Sequence, residues 1–281
     1  MARRPLVLLA LASASAATAF VVWLAAIHVA GARSLDARAL QTFTGVARPP
    51  LTPSIDGIAG FADPYPFIGT GAALVVLALL RRRWWMAATV PAILLSANVA
   101  TQLLKPALGD LRVVRLNGYD GVYLGSWPSG HSTAAMSLAL CLVLVIGPRL
   151  RPLAALVGAG YAIAVGYALV VLGYHLPSDV FGGYLMAATF TLLGAAALSV
   201  LEARWPAGAA GSVARPPRAL SPPALAAVAT AIVALAAMAL LVRRPGTPVD
   251  ALQHPTAVLA AIGIAALGLA LTMGLARVLR R

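Results

Sequence analysis

Eight apolar runs, each near the roughly 20 residues that a helix needs to cross a bilayer, constrain this 281-residue chain more than any other feature. They lie near 5–30, 64–80, 86–104, 131–147, 153–173, 180–201, 224–242 and 256–275. Backbone in lipid must satisfy its own hydrogen bonds, so runs of this length predict an all-α, polytopic membrane bundle. Composition agrees: a chain that is 61% hydrophobic and 10% charged would expose too much apolar surface in water. The 64–80 run is the weakest, being short and opened by Pro64-Tyr65-Pro66. Arg3 and Arg4 followed by LVLLALASASA resemble a secretory signal, but the apolar stretch continues through AATAFVVWLAAIHVA. That is longer than a signal core, so a retained first span is expected.

The arginines predict orientation. Arg3 and Arg4, Arg81 to Arg83, Arg149 and Arg151, Arg204, Arg215 and Arg218, and the group from Arg277 to Arg281 fall on one side if spans alternate. The positive-inside rule makes that side the cytoplasm, with both termini there and the protein in the inner (plasma) membrane. Arg243 and Arg244 fall on the other side, partly offset by Asp250. The net charge of +13 therefore reads as topology marking and contact with anionic lipid head groups. No basic stripe is interleaved with aromatics, so nucleic acid is not expected as a partner.

Residues 202–223 are rich in Pro, Ala and Gly and read as a cytoplasmic linker. It would separate a six-span unit, 1–201, from a two-span segment, 224–281. The outer loop at 31–63 contains SLDARALQTF, which reads either as an amphipathic helix along the interface or as plain connection. Gly158, Gly160, Gly166, Gly182 and Gly183 would permit close helix packing. Cys141 lies mid-span, reads as a small buried hydrophobe, and has no intrachain disulfide partner.

Three polar clusters interrupt the apolar pattern. KPALGDLR carries Lys105, the only lysine in the chain, and Arg112; PSGH spans Pro128 to His131; HLPSD places His175 four residues before Asp179. On the alternating topology all three (105–112, 128–131 and 175–179) lie at span ends outside the cytoplasm. Taken singly each has an ordinary reading. A basic residue at a span end anchors head groups, a lone His is structural, and HLPSD is an Asp-capped helix start. Taken together they make a phosphate site. Lys105 and Arg112 offer fixed positive charge. Gly130 allows close backbone approach, and amides at a helix start bind oxyanions. His131 is placed to donate a proton to a leaving oxygen. Asp179 can accept from one ring nitrogen of His175 and leave the other as a nucleophile.

KPALGDLR, PSGH and HLPSD resemble the three signature motifs of the type 2 phosphatidic acid phosphatase superfamily, whose members include membrane lipid phosphatases and soluble vanadium haloperoxidases. The match covers about residues 65 to 201. The resemblance implies a six-helix membrane core, here followed by two extra C-terminal helices. It makes Lys105, Arg112, Ser129 and Gly130 phosphate-binding residues. It makes His131 the general acid, His175 the nucleophile and Asp179 its orienting partner. No metal or other cofactor is implied, and the sequence offers no carboxylate cluster beside the histidines.

Three departures from the family pattern stand out: Val113, which costs a turn-fixing residue, then Ala168 and Leu169. Val113 follows Arg112 where the family usually has proline, and Ala168-Leu169 stands where the third motif usually opens Ser-Arg. The absent arginine normally contacts phosphate. Arg115, one helical turn beyond Arg112 if that loop is helical, is a candidate substitute. The expected function is hydrolysis of a lipid phosphate or diphosphate (undecaprenyl diphosphate, phosphatidic acid or phosphatidylglycerol phosphate in type) at the extracytoplasmic face, through a phosphohistidine. Two rivals follow: transfer to an acceptor other than water, and a non-catalytic lipid-phosphate binder lacking the arginine at Leu169.

Overall fold

The computed structural model describes residues 3–46, 52–108, 112–116, 119–123, 125–205 and 254–280. In chain order these form α1 (Arg3–His28), α2 (Ala30–Val46), α3 (Thr52–Gly60), α4 (Pro64–Leu80), α5 (Trp84–Leu108), β1 (Arg112–Leu116), β2 (Tyr119–Tyr123), α6 (Gly130–Val145), α7 (Arg151–Val171), α8 (Pro177–Arg204) and α9 (Pro255–Val278). The expected all-α membrane bundle is what forms, with one small strand pair added. By length and apolarity α1, α5, α7, α8 and α9 can each cross a membrane, and α3 with α4, bent by 45°, makes one broken span. The break is written in the sequence: Pro64 opens α4 directly after Asp63, which holds the N-cap position without a side-chain cap bond. The linker beyond residue 205 and the run at 224–242 lie outside the described residues.

α1 packs along α8. Its buried residues Leu8, Ala12, Ser15 and Ala19 recur at helical spacing, and Ser15 Oγ donates to Leu185 O at 3.0 Å. The opposite face, with Leu6, Phe20, Val21 and Leu24, stays exposed, as a lipid-facing surface does. The first run is thus built as a span.

α6 has only 16 residues and is buried on nearly every side among α4, α5, α7, α8 and α9. An all-round apolar helix needs a buried position, and here it becomes the bundle axis. Gly158 lets α7 approach it, since a Cβ there would lie 3.0 Å from Ala139 Cβ. Gly166, Gly182 and Gly183 also sit at tight contacts, but Gly160 is exposed with nothing within 4 Å. That corrects the packing role expected of Gly160.

SLDARALQTF is helical, as part of α2, which packs over α7, α8, α9 and β1. The helical alternative for this stretch therefore holds over plain connection. α9 joins the same bundle: Tyr167 Oη donates to Ala261 O at 2.7 Å, and Arg151 Nη1 to Leu279 O at 2.8 Å. Arg4, Arg81, Arg83 and Arg280 all lie within electrostatic reach of Arg151, so these arginines gather at one end of the bundle. The end of α5, the start of α6 and the α7–α8 turn lie at the other end. That end carries the three clusters.

Candidate active site

The α7–α8 turn is shaped by its own sequence. Gly173, at φ 74°, follows the last turn of α7. Gly173 N donates to Val170 O and Tyr174 N to Leu169 O, the paired bonds of a Schellman ending. Pro177 then opens α8, and Asp179 Oδ2 accepts from Leu176 N at 3.1 Å in the first turn. The same oxygen accepts from His175 Nδ1 at 3.2 Å. Asp179 is fully buried, whereas the His175 side chain is 12% exposed. Because a carboxylate only accepts, Nδ1 carries the proton and Nε2 is left with its lone pair.

PSGH docks onto this turn. Ser129 N donates to Asp179 O at 3.0 Å, and Ser129 Oγ caps α6 by accepting from Ser132 N at 3.2 Å. The amides of Gly130 and His131 have no intrahelical acceptor at that helix start and are suited to an anion. Close approach of α6 to α8 requires Gly183, where a Cβ would fall 2.6 Å from Ser129 O. Gly182 similarly faces the buried indole of Trp127 at 2.6 Å. Lys105, in the last turn of α5, brings Nζ to 3.8 Å from where a Gly130 Cβ would lie. Its charge also interacts with that of Asp179.

Arg112 arrives on β1. The β1–β2 hairpin pairs Arg112 with Tyr123 and Val113 with Val122, so the position after Arg112 is part of a strand. Tyr123 Oη donates to Gly173 O at 2.6 Å, tying the hairpin to the α7–α8 turn. The guanidinium is 5% exposed. Nη2 donates to Asp179 Oδ1 and to Ser126 Oγ (2.5 Å); Nη1 donates to Ser178 Oγ (3.1 Å) and to Asp36 Oδ2 (3.4 Å). Arg112 Nε is buried with no partner among the described residues.

The structure thus gathers Lys105, Arg112, Ser129, Gly130, His175 and Asp179. His131, 40% exposed, is instead engaged with the break between α3 and α4: its Nε2 donates to Asp63 Oδ1 at 3.0 Å. Arg115 lies on a strand, not a helix, opposite Asp120. Three residues is an odd offset along a strand, so the helical ground for Arg115 replacing the missing arginine is removed. Leu169 is fully buried in the apolar core, and its carbonyl caps the turn leading to His175.

Sequence reasoning missed Asp36, Asp63, Tyr123 and Ser178. Asp36 is the most consequential. Its Oδ1 accepts from Ser178 N at 3.0 Å and its Oδ2 from Ser178 Oγ at 2.6 Å, beside Arg112. Burial first, and the Asp179 charge second, push its carboxyl up to about 6. The one available signal was an acidic residue on the SLDARALQTF stretch.

No curated protein matches the chain. Among solved structures, a transmembrane PAP2-type phosphatidylglycerolphosphate phosphatase from Bacillus subtilis is similar at 19% identity and TM-score 0.55. That match covers 69% of this chain and 96% of that one. LpxE of Aquifex aeolicus is 21% identical, with TM-score 0.45, over 56% of this chain and 92% of that one. The first of these shares the fold. The PAP2 superfamily model matches residues 9–201, more than half of the sequence, so this multi-pass membrane chain belongs to the PAP2 superfamily.

Proposed function

We propose that the protein is a membrane lipid phosphatase that hydrolyses a lipid phosphate or diphosphate at the extracytoplasmic face through a phosphohistidine on His175. The observation that carries this is the buried Asp179 carboxylate holding His175 Nδ1 beside a convergence of Lys105, Arg112 and the α6 start. In the first step the Nε2 lone pair of His175 attacks phosphorus. The bond from phosphorus to the leaving oxygen breaks (the lipid alcohol oxygen of a monophosphate, the bridging oxygen that stays on the lipid monophosphate for a diphosphate), and that oxygen takes a proton from His131. In the second step water attacks the phosphohistidine, returns a proton to His131, and releases inorganic phosphate with His175 restored. Lys105, Arg112, Ser129, Gly130 and the amides at the start of α6 bind the phosphoryl oxygens.

The gathering of Arg4, Arg81, Arg83, Arg151 and Arg280 at the far end of the bundle supports the placement of the site outside the cytoplasm. A position at span ends suits a substrate whose tail stays in the bilayer. Undecaprenyl diphosphate, phosphatidic acid and phosphatidylglycerol phosphate are the substrates to test. The assay is phosphate release by purified protein in detergent with chelator present, with His175→Ala as control. Release from one lipid that vanishes in the variant supports the proposal. Turnover of the lipid only after an alcohol acceptor is added, with the phosphate appearing on that acceptor and not free, would convert it to a phosphotransferase.

A second reading, binding without turnover, is favoured by two observations. Leu169 is sealed in the core and the Arg112 guanidinium is already shared by two carboxylates. Saturable lipid-phosphate binding with no release from any of the three lipids would establish it.

A further inference from the structure

Asp36 belongs to none of the three clusters, yet it is in direct contact with two of them. It sits on α2, 76 positions before Arg112 and 142 before Ser178, and its side chain is 9% exposed. A carboxylate this buried is costly unless its oxygens are satisfied. Here they are: Oδ1 takes the Ser178 amide, and Oδ2 takes the Ser178 hydroxyl and Arg112 Nη1. Ser178 is the residue before Asp179, in the first turn of α8.

From this geometry we infer that Asp36 is a positioning residue for the phosphate-transfer centre, sharing the Arg112 guanidinium with Asp179 and fixing the first turn of α8. The inference rests on the phosphatase reading above. Three consequences follow from the contacts. Arg112 is held from both sides, by Asp179 through Nη2 and by Asp36 through Nη1. Its unpartnered Nε is the donor left for a phosphoryl oxygen. Second, Asp179 meets Arg112 through Oδ1 alone and keeps Oδ2 for His175 and Leu176. A guanidinium without Asp36 would be free to fork across both Asp179 oxygens, the preferred bidentate geometry, and compete with His175 Nδ1. Third, the Ser178 bonds hold the peptide that carries Asp179, so the orientation of the nucleophile depends on a helix remote in sequence.

The test uses the full-length protein in detergent and the lipid that the wild type hydrolyses. Asp36→Asn keeps size and can still accept from the Ser178 amide, but presents an NH2 to Arg112. Its kcat is expected to fall about 10- to 100-fold with KM within about threefold, since a shift of ångström scale in reacting groups costs about that much. Asp36→Ala is expected to lose more and, by hydrogen exchange, to lose at least about tenfold of the protection at the Ser178 amide. Asp36→Asn should lose little of it. A kcat for Asp36→Asn within about twofold of wild type overturns the inference, as does a loss matched by loss of folded protein. If the wild type releases no phosphate from any lipid, the phosphatase reading fails. The exchange measurement then decides alone, and unchanged Ser178 protection in Asp36→Ala overturns the positioning role.

Discussion

Gly183→Ala tests whether the docking of PSGH on α8 sets the reactivity of the site. A Cβ at this position would lie 2.6 Å from Ser129 O, 2.8 Å from Ser132 Cβ and 3.0 Å from Thr133 N. Ordinary contact begins near 3.4 Å, so the start of α6 must retreat by about 0.8 Å from Ser129 O alone. None of these neighbours is the far end of a flexible side chain. Ser129 O accepts from Thr133 N and Thr133 Oγ1, and Ser129 N is bonded to Asp179 O, so the strain falls on the link between the two motifs. Overpacking of this kind costs about 1–3 kcal/mol. A displacement near 1 Å among reacting groups costs up to about 100-fold in rate. Gly183→Ala should therefore keep a folded, membrane-inserted protein, with a lower melting temperature and about 10- to 100-fold slower phosphate release. Gly160→Ala is the control. Its Cβ meets nothing within 4 Å, so its activity should stay at the wild-type level and its stability rise by up to about 1 kcal/mol from helix propensity. Wild-type turnover in Gly183→Ala, with an unchanged melting temperature, would refute the reasoning.

The Asp36 carboxyl, at about 6 in the folded protein against 3.8 for the free side chain, binds its proton more tightly when folded. Its contribution to stability is thus fully present below about pH 4 and lost as pH rises through about 6, by on the order of 3 kcal/mol. The melting temperature of Asp36→Asn relative to wild type should accordingly rise from pH 4 to pH 7; a difference independent of pH would contradict the shift. Leu169→Arg restores the residue type usual in the family, but at a fully buried apolar position. It should lower the melting temperature by several degrees without raising turnover, and faster phosphate release would show that the core there opens to the site. Arg83 pairs with Glu202 at 2.8 Å, with side chains 30% and 40% exposed. Arg83→Ala should cost less than about 1 kcal/mol in a denaturation midpoint, and a larger loss would mean the pair is shielded from solvent.

What the sequence determined by itself is local or periodic. Apolar run length specified the spans, because helix rise and bilayer thickness are fixed quantities. The His175–Asp179 pair was legible for the same reason: Gly173, Pro177 and Asp179 encode a helix stop, a helix start and a first-turn carboxylate within seven residues of chain. PSGH was legible too, since a Ser cap and a glycine at a helix start act within one turn. Only the tertiary structure decided the partners of the charged groups. Asp36 meets Ser178 across 142 positions and Asp63 meets His131 across 68, and no spacing rule spans such distances. The strand pair carrying Arg112 was missed although the chain signals it: Asn117-Gly118 separates RVVRL from YDGVY, the two-residue spacing of a tight hairpin. Gly160 and Gly183 look alike in sequence, yet one is exposed and the other touches Ser129. Short-range geometry is set by torsions and caps that travel with the residue; which buried charge meets which is set by the packing of whole helices, and that exists only once the chain has folded.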